Sequence, residues 1–263
     1  MRALRAALQP CNGEFSSVDI SKALGELTLS DLRSYISHSA LRLGVKDCRF
    51  SAADHVIRLD NVLKLGGPLR WFCRPSDILG CSTLYHSKDA VLCWFVVPPG
   101  GMLPLHDHPA MRVWQRVLFG RLHVTSIDWL NGTAPTDESD HTPCRWDGIV
   151  VGSGAVAAQV NAPDCTSLVK SFGPRDGGVL HEIVNDSAEP ALFIDAITPP
   201  YVTPPHNIKC TYYSVTRNGG SDTVSLGPQG CEGLEVGQHV RLVPRTDYGG
   251  PPMEPFLPVE PLW

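Results

Sequence analysis

The sequence predicts an all-β fold of the jelly-roll type, and two observations support this prediction. First, the 263 residues include 24 glycines and 23 prolines but only 19% charged residues, a composition that favours short strands and turns over long helices. Second, apolar segments of strand length recur between turn residues, and eight or more short strands fit a jelly-roll barrel. An apolar content of 43% supports a sizeable core.

The central strands are the clearest elements of this prediction. Residues 90–97 are almost entirely apolar and predict a strand that is covered on both faces. Residues 111–119 and 121–129 are rich in β-branched and aromatic side chains, and Gly120 between them predicts a tight turn that joins two neighbouring strands. The remaining β predictions are a hairpin over residues 148–172 and strands over residues 191–197 and 211–216.

Both ends of the chain are predicted to differ from the barrel. Residues 17–45 show apolar residues at helical spacing, with a candidate cap at Ser30. Residues 1–50 are therefore interpreted as an N-terminal helical extension of a barrel domain over residues 51–263. Polar sequence rich in glycine and proline predicts loops at residues 130–147 and 217–233 and an extended Pro-rich arm over residues 244–263.

Composition and charge argue against several functional classes. The net charge of −5 argues against nucleic acid as the main partner, and no apolar run approaches the length of a membrane span. The nine cysteines form no C-x-x-C pair, which favours free thiols in a reducing compartment. Residues 1–8 predict the start of a helix rather than a secretory signal, with a mitochondrial presequence as the alternative. We expect a monomer in the cytoplasm, with the nucleus as a second location and the mitochondrion less favoured.

Two histidines separated by one residue form the first candidate functional motif. His106 and His108 follow a Pro/Gly turn, and side chains at i and i+2 of a strand point to the same face. The two residues can therefore offer two imidazoles to one metal ion. Pro109 removes a ladder donor, which suits the end of a strand. The alternative interpretation is a pair of ordinary surface or core histidines.

A second histidine motif lies further along the chain. It reads G-x2-H-x3-N from Gly178 to Asn185, whereas the first motif reads G-x5-H-x-H from Gly100. The pair resembles the two motifs of the cupin superfamily, small β-barrels that hold a metal ion inside. Many cupins add a glutamate a few residues after the second histidine, but residues 110–113 contain no carboxylate. The resemblance therefore implies a ligand set of three histidines: His106, His108 and His181.

A longer set of residues resembles the thiol dioxygenases of the cupin superfamily, namely the plant cysteine oxidases and animal cysteamine dioxygenase. The resemblance covers roughly residues 60–216, with a weaker likeness at residues 242–245. It rests on residues 106–109, 117–124, 128–129, 177–183, 199–201 and 210–213 and on Asp195. It implies a non-haem Fe(II) enzyme that adds both atoms of O₂ to a thiol, either cysteamine or an N-terminal cysteine of a peptide. Likeness to the plant enzymes over residues 116–129 favours the peptide.

The implied ligand set agrees with this chemistry. Three neutral imidazoles leave Fe(II) with its full charge and with open positions, and an anionic thiolate substrate can supply the missing negative charge. The product would be a sulfinic acid. Three histidines also suit Zn²⁺, and it is the resemblance that favours iron. The alternative function is a non-catalytic or zinc-loaded cupin that serves as a binding module.

Asp195 and Tyr201 are the candidate catalytic residues. Asp195 lies between Ile194 and Ala196 in an apolar strand, where an unpartnered carboxylate is costly to bury. Its structural interpretation is a salt bridge or a hydrogen bond to a nearby turn. Its functional interpretation is a group near the metal that attracts the substrate ammonium. Tyr201, which follows two prolines, could supply a hydroxyl at the same end of the pocket.

Cys210 and Tyr212 form the last candidate pair. They are two residues apart at the start of a predicted strand, so their side chains share one face. The resemblance places this pair near the pocket, where a thioether crosslink between sulfur and phenol ring could form. A small buried thiol beside an aromatic ring is the alternative, and it is slightly favoured. Glu182 is interpreted as structural because it faces away from His181, and His123 as a packed or surface residue.

Overall fold

The computed structural model describes residues 2–28, 31, 79–130, 146–159, 162–217, 230–251 and 253–255. Within these ranges, two six-stranded sheets form the body of the protein. The helices and strands in chain order are α1 (Arg2–Ala7), α2 (Ser17–Gly25), β1 (Leu79–His86), β2 (Val91–Val97), β3 (Met102–Asp107), β4 (Arg112–Phe119), β5 (Arg121–Trp129), β6 (Trp146–Ala157), β7 (Lys170–Phe172), β8 (Leu180–Val184), β9 (Ala191–Thr198), β10 (Tyr213–Arg217), β11 (His239–Pro244) and β12 (Met253–Pro255). A 3₁₀ turn at Cys165–Leu168 precedes β7.

The two sheets enclose a shared apolar interior. The first sheet has the strand order β12-β1-β2-β9-β4-β7, and the second has the order β10-β11-β6-β5-β8-β3. Phe95 and Phe193 of the first sheet stack at 4.8 Å and belong to the same buried cluster as Val124 and Ile183 of the second. The predicted all-β barrel is therefore confirmed.

Strand β9 is buried on both faces, which explains its nearly continuous apolar sequence. Phe193 and Ile197 face the barrel interior, whereas Leu192 and Ile194 belong to a separate cluster on the outer side. Strand β2, next to β9, is also largely buried along its length, as the sequence predicts for residues 90–97. These two strands form the wall between the interior and an outer layer.

The two N-terminal helices supply that outer layer. Ser16 caps α2 by accepting a hydrogen bond from the backbone N–H of Asp19. The apolar side chains of both helices pack against the outer faces of β2, β4 and β9, in a cluster that includes Leu4, Leu8, Ile20, Leu24, Trp94 and Trp114. None of the described helices is long and apolar enough to span a membrane.

Arg116 of β4 fastens the end of α2 to the barrel. Its guanidinium is buried, and its Nη1, which carries two hydrogens, lies within hydrogen-bonding reach of the backbone carbonyls of Leu24, Gly25 and Leu27. These carbonyls lie at or just beyond the C-terminal end of α2, where a positive charge is favourable. One charged side chain therefore caps the helix and fixes its position on the sheet.

The structure confirms the strands predicted around Gly120 but corrects their relationship. Strand β4 pairs with β7 and β9 of the first sheet, whereas β5 pairs with β6 and β8 of the second. The two strands are therefore consecutive but are not neighbours in one sheet. Gly120 has a φ of +73°, and a Cβ there would lie 2.6 Å from the Pro190 carbonyl oxygen. The glycine permits the sharp crossing between sheets.

The predicted hairpin over residues 148–172 is wrong. Its first part is the long strand β6, which pairs with β5 and β11. Its last part is β7, which pairs with β4 in the other sheet. The 3₁₀ turn between them carries the chain from one sheet to the other, so each strand finds its partner elsewhere.

The remaining predictions are met in part. The helix predicted over residues 17–45 is α2 at its start but ends at Gly25, so the prediction is too long, and the strand predicted over residues 191–197 is β9. The strand predicted over residues 211–216 begins at Tyr213, and residues 146 and 147, at the end of the loop predicted over residues 130–147, belong to β6 instead. In the Pro-rich arm, β12 pairs in parallel with β1. The candidate cap Ser30 and residues 32–50, 131–145, 218–229 and 256–263 lie outside the described residues.

Candidate metal site

Three histidines from two paired strands converge inside the barrel. His106 lies near the end of β3 and is directly opposite His181 of β8 in the antiparallel register. His108 follows β3 by one residue, at the strand end that Pro109 predicts. All three side chains are buried. Each histidine offers one ring nitrogen, and these three nitrogens lie within 4.8 Å of one another. The structure therefore brings together the three histidines that the sequence singles out.

Hydrogen bonds fix two of the three rings. His106 Nδ1 lies 2.8 Å from the Pro104 carbonyl oxygen, and because a carbonyl can only accept, this nitrogen carries the proton. The Tyr201 hydroxyl donates to the carbonyl of Asp107. The Tyr201 oxygen then accepts from His108 Nδ1, at 2.7 Å. Both imidazoles consequently keep the lone pair on Nε2 for another partner.

The geometry of His108 and His181 fits a shared metal ion. Their Nε2 atoms are 3.1 Å apart, close to the separation of about 3.0 Å expected for two nitrogens bound at roughly right angles and about 2.1 Å from one ion. His181 Nδ1 is buried and has no hydrogen-bond partner among the described residues. A cation is the natural partner for nitrogen lone pairs that face one another in a site without carboxylates.

Burial keeps the three imidazoles neutral. It lowers the pKa of His106 to about 4, and it lowers the pKa of both His108 and His181 well below the ordinary value, with the neighbouring imidazoles acting in the same direction. Neutral imidazole is the form that binds metals. The cluster therefore suggests a metal site with three nitrogen ligands.

Asp107, between the two ligand histidines, anchors this end of β3. Its Oδ1 accepts from the backbone N–H of Thr211 at 2.8 Å, and its Oδ2 accepts from the Tyr213 hydroxyl at 2.8 Å. This role of Asp107 is not among those predicted from the sequence. The available signal is the alternation itself: a buried carboxylate between two inward-pointing histidines must face the opposite side and needs its own partners there.

Asp195 lies on the interior face of β9, where Phe193 and Ile197 also point. Its Oδ1 accepts from Nε2 of Gln115, at 3.1 Å, and the two residues are direct partners across β4 and β9. Burial raises the pKa of Asp195 to about 7. The structural alternative predicted for Asp195 is a salt bridge or a hydrogen bond to a nearby turn. The structure shows a hydrogen bond to a side chain of the neighbouring strand instead, and the described residues include no ion pair to Asp195.

Gln115 is a second polar group whose role is not predicted from the sequence. It is buried, and its Oε1 has no hydrogen-bond partner within the described part of the chain. An unpartnered acceptor beside a buried carboxylate is unusual in a barrel interior. A polar residue at an inward position of β4 was visible in the sequence, but its partner 80 positions away was not.

Cys210 lies between two phenol groups. Its thiol interacts with the hydroxyls of both Tyr201 and Tyr212, and burial raises its pKa to about 12. Tyr212 forms an isolated β-bridge with His106, and the two rings are 5.8 Å apart. A Cβ at Gly250 would lie 2.7 Å from the Tyr212 hydroxyl oxygen, so the glycine permits a close approach there. The structure therefore brings this pair beside the histidines, and the crosslink itself stays a prediction.

Glu182 and His123 lie apart from the histidine cluster. Glu182 is buried and accepts from the backbone N–H of Cys231, at 3.1 Å. His123 interacts with the Ser153 hydroxyl. Both residues line a separate cavity of about 160 Å³, which agrees with their interpretation as residues outside the metal site.

Comparisons with known proteins point to one family. The family model described as PCO_ADO matches residues 42–251. Plant cysteine oxidase 2 of Arabidopsis thaliana is 35% identical over 130 residues, which cover 49% of this chain and 42% of the relative. The 2-aminoethanethiol dioxygenase of Mus musculus is 28% identical over 141 residues, which cover 51% of this chain and 53% of the relative. The chain therefore matches about half the length of these relatives.

Solved structures offer a weaker likeness. A protein from Klebsiella pneumoniae with a double-stranded β-helix domain is 16% identical, with a TM-score of 0.31. The superposition covers 51% of this chain and 89% of that protein.

Proposed function

Because the chain belongs to the PCO_ADO family, whose model matches residues 42–251, we propose that it is an Fe(II)-dependent thiol dioxygenase. The reaction adds both atoms of O₂ to one thiol sulfur, so that RSH and O₂ become the sulfinic acid RSO₂H. The proposed substrate is an N-terminal cysteine of a peptide, with cysteamine as the alternative. A relative named plant cysteine oxidase supports a cysteine as the substrate, and a relative named 2-aminoethanethiol dioxygenase supports cysteamine.

The observation that carries this proposal is the buried cluster of three neutral imidazoles without a carboxylate. His106, His108 and His181 would hold the ion through ring nitrogens. Fe(II) bound by these residues would supply the charge that favours a substrate thiolate and the redox chemistry that O₂ requires. Burial of the ligands excludes bulk water from the side of the site that the histidines form.

Asp195 is proposed to bind the substrate ammonium, together with Gln115. This proposal is supported by the position of both side chains, which face the barrel interior that also contains the three histidines. Val113 is directly opposite Phe172, Phe172 packs 4.8 Å from the His181 ring, and Gln115 lies on the same face as Val113. An ammonium would supply the donor that Gln115 Oε1 lacks and a charge partner for the carboxylate.

Tyr201, Cys210 and Tyr212 complete the proposed site. Tyr201 is included because its hydroxyl contacts His108, and Tyr212 because its ring lies beside His106. Neither Cys210 nor Tyr212 is needed as a ligand, so we assign them to the lining of the pocket. A thioether between them would form only as a consequence of turnover.

The test combines metal analysis with O₂ uptake. The iron-reconstituted protein should consume O₂ with a Cys-initiated peptide and with cysteamine, and the peptide should gain about 32 Da, the mass of two oxygen atoms. The matched Ser-initiated peptide, which lacks the sulfur, should be inert. A ratio of kcat/KM that favours the peptide would support the N-terminal cysteine as substrate. Stoichiometric zinc with no thiol-dependent O₂ uptake after reconstitution would rule out the enzyme.

A zinc-loaded, non-catalytic binding module is the second candidate function. The observation that favours it is the same set of three neutral imidazoles, because such sets are also typical of Zn²⁺. The two candidates differ in one measurable property, since only the iron protein should oxidise a bound thiol.

A further inference from the structure

The Tyr201 hydroxyl occupies the centre of a hydrogen-bond network beside the metal site. Tyr201 follows β9, and its ring packs against the interior apolar cluster, 5.4 Å from the His108 ring. Its hydroxyl contacts the Asp107 carbonyl, His108 Nδ1 and the Cys210 thiol. A phenol group has one hydrogen to donate and lone pairs that accept, so the partners determine its orientation.

The hydrogen-bond partners of this hydroxyl permit only one orientation of its hydrogen. The Asp107 carbonyl has no hydrogen, so the phenol hydrogen must point to it. The phenol oxygen can then only accept at His108, and His108 Nδ1 must carry its proton. The lone pair of His108 is therefore confined to Nε2, the atom that lies 3.1 Å from Nε2 of His181.

We propose that Tyr201 is a positioning residue that fixes the tautomer and ring orientation of His108 for metal binding. This inference rests on the proposed function insofar as it requires a metal at the three histidines. Because the phenol hydrogen is already donated to Asp107, the hydroxyl acts through His108 and not by donating to the thiol or to O₂. Hydrogen bonds of this kind orient metal-binding histidines and raise their basicity.

The test compares two single-atom deletions. Tyr201→Phe removes the hydroxyl that contacts His108 and keeps the packed ring. Tyr213→Phe is the matched control, since it also removes one buried hydroxyl, in this case one that donates to the Asp107 carboxylate and has no hydrogen bond to a histidine. Affinity is measured with Co(II) by competition against a chelator, and the melting temperature of each metal-free protein reports general loss of structure.

We expect a large loss of metal affinity in Tyr201→Phe and not in Tyr213→Phe. Tyr201→Phe should weaken Co(II) binding by about 10-fold to 100-fold, the range for losing a hydrogen-bond partner of a metal ligand. Tyr213→Phe should weaken it by less than about threefold, below that range. In the Zn(II)-loaded protein labelled with ¹⁵N-histidine, the Nδ1–H signal of His108 should be protected from exchange in wild type and lost in Tyr201→Phe.

Several outcomes would overturn the inference. Wild-type affinity and an unchanged imidazole signal in Tyr201→Phe would refute it, and so would an equal loss of affinity in Tyr213→Phe. A wild-type protein that binds neither Co(II) nor Zn(II) would refute both this inference and the proposed function. A wild-type protein that shows the Tyr201 effect but no thiol-dependent O₂ uptake would refute the proposed function alone.

Discussion

Replacing Asp195 with asparagine should lower thiol turnover and, towards alkaline pH, raise the stability of the metal-free protein. The carboxylate is 3% exposed, and its described hydrogen-bond partner is the Gln115 amide. Asparagine keeps an acceptor oxygen for Gln115 but cannot ionise. The substitution therefore separates the effect of the charge from the effect of the shape.

The size of the stability effect follows from the pKa of Asp195, which burial raises from 3.8 to about 7. The folded protein then holds the proton more tightly than the unfolded chain, so its stability falls as pH rises between these two values and levels off above the folded pKa. At about 1.4 kcal/mol per unit, the loss between pH 5 and pH 8 amounts to roughly 2–3 kcal/mol. Asp195→Asn should lack this loss, so its stability relative to wild type should increase by that amount over the interval.

The assay is urea unfolding of the metal-free proteins at several pH values, together with kcat/KM of the iron-loaded proteins. Asp195→Asn should retain iron but lose at least about tenfold in kcat/KM, because one charge-assisted hydrogen bond contributes about 1.5–3 kcal/mol. A pH-independent stability difference would refute the reasoning from burial. Near-normal kcat/KM would return Asp195 to a structural role.

Glu182→Gln is the matched control for this prediction. Glu182 is also a buried carboxylate, and burial raises its pKa from 4.5 to about 7, so its removal should change the pH dependence of stability with the same sign. It lines the separate cavity, away from the histidine cluster. Turnover should therefore survive in Glu182→Gln, and an equal loss of turnover in both variants would mean that Asp195 has no special role.

Three further predictions concern the metal, the pocket and the outer layer. His181→Ala should lose most bound iron by elemental analysis, whereas His123→Ala should retain it; full occupancy in His181→Ala would contradict the ligand assignment. Cys210→Ser should keep iron and at least partial activity, and Tyr212→Phe should alter turnover only modestly. A crosslink would appear in peptide mass spectra as a loss of about two hydrogens after turnover, since each partner loses one, and an unmodified 210–212 peptide after many turnovers would exclude it. Arg116→Met should lower the free energy of unfolding by about 1.5–3 kcal/mol, the range for a hydrogen bond to a charged group, and an unchanged urea midpoint would argue against the helix cap.

The sequence predicts local features of this fold better than its pairing. The strands on either side of Gly120 follow from residue composition and short-range alternation, which the backbone geometry imposes directly. The pairing partners of these strands cannot be predicted in the same way, because strand pairing depends on segments that are distant in the sequence. The failed hairpin over residues 148–172 has the same origin, since its two halves pair with β5 and β4 in different sheets.

The same distinction holds in the candidate site. His106 and His108 could be predicted because their spacing on one strand is a local property, and the motif around His181 supplies the third member. Gln115 could not be linked to Asp195, nor Tyr201 to the Asp107 carbonyl, because each contact joins residues 80 or more positions apart. Arg116 lies within the strand predicted over residues 111–119, and only the position of α2 explains its burial.

The double burial of β9 has a consequence for the solubility of shortened forms of the protein. The family model begins at residue 42, whereas the helices that cover the outer face of β9 lie within residues 2–25. Without them, Trp94, Trp114 and Ile194 would become solvent-exposed together with their apolar neighbours on the same sheet. A contiguous apolar patch of this kind promotes aggregation. A fragment limited to the family match would therefore keep all three histidines and yet be prone to precipitate.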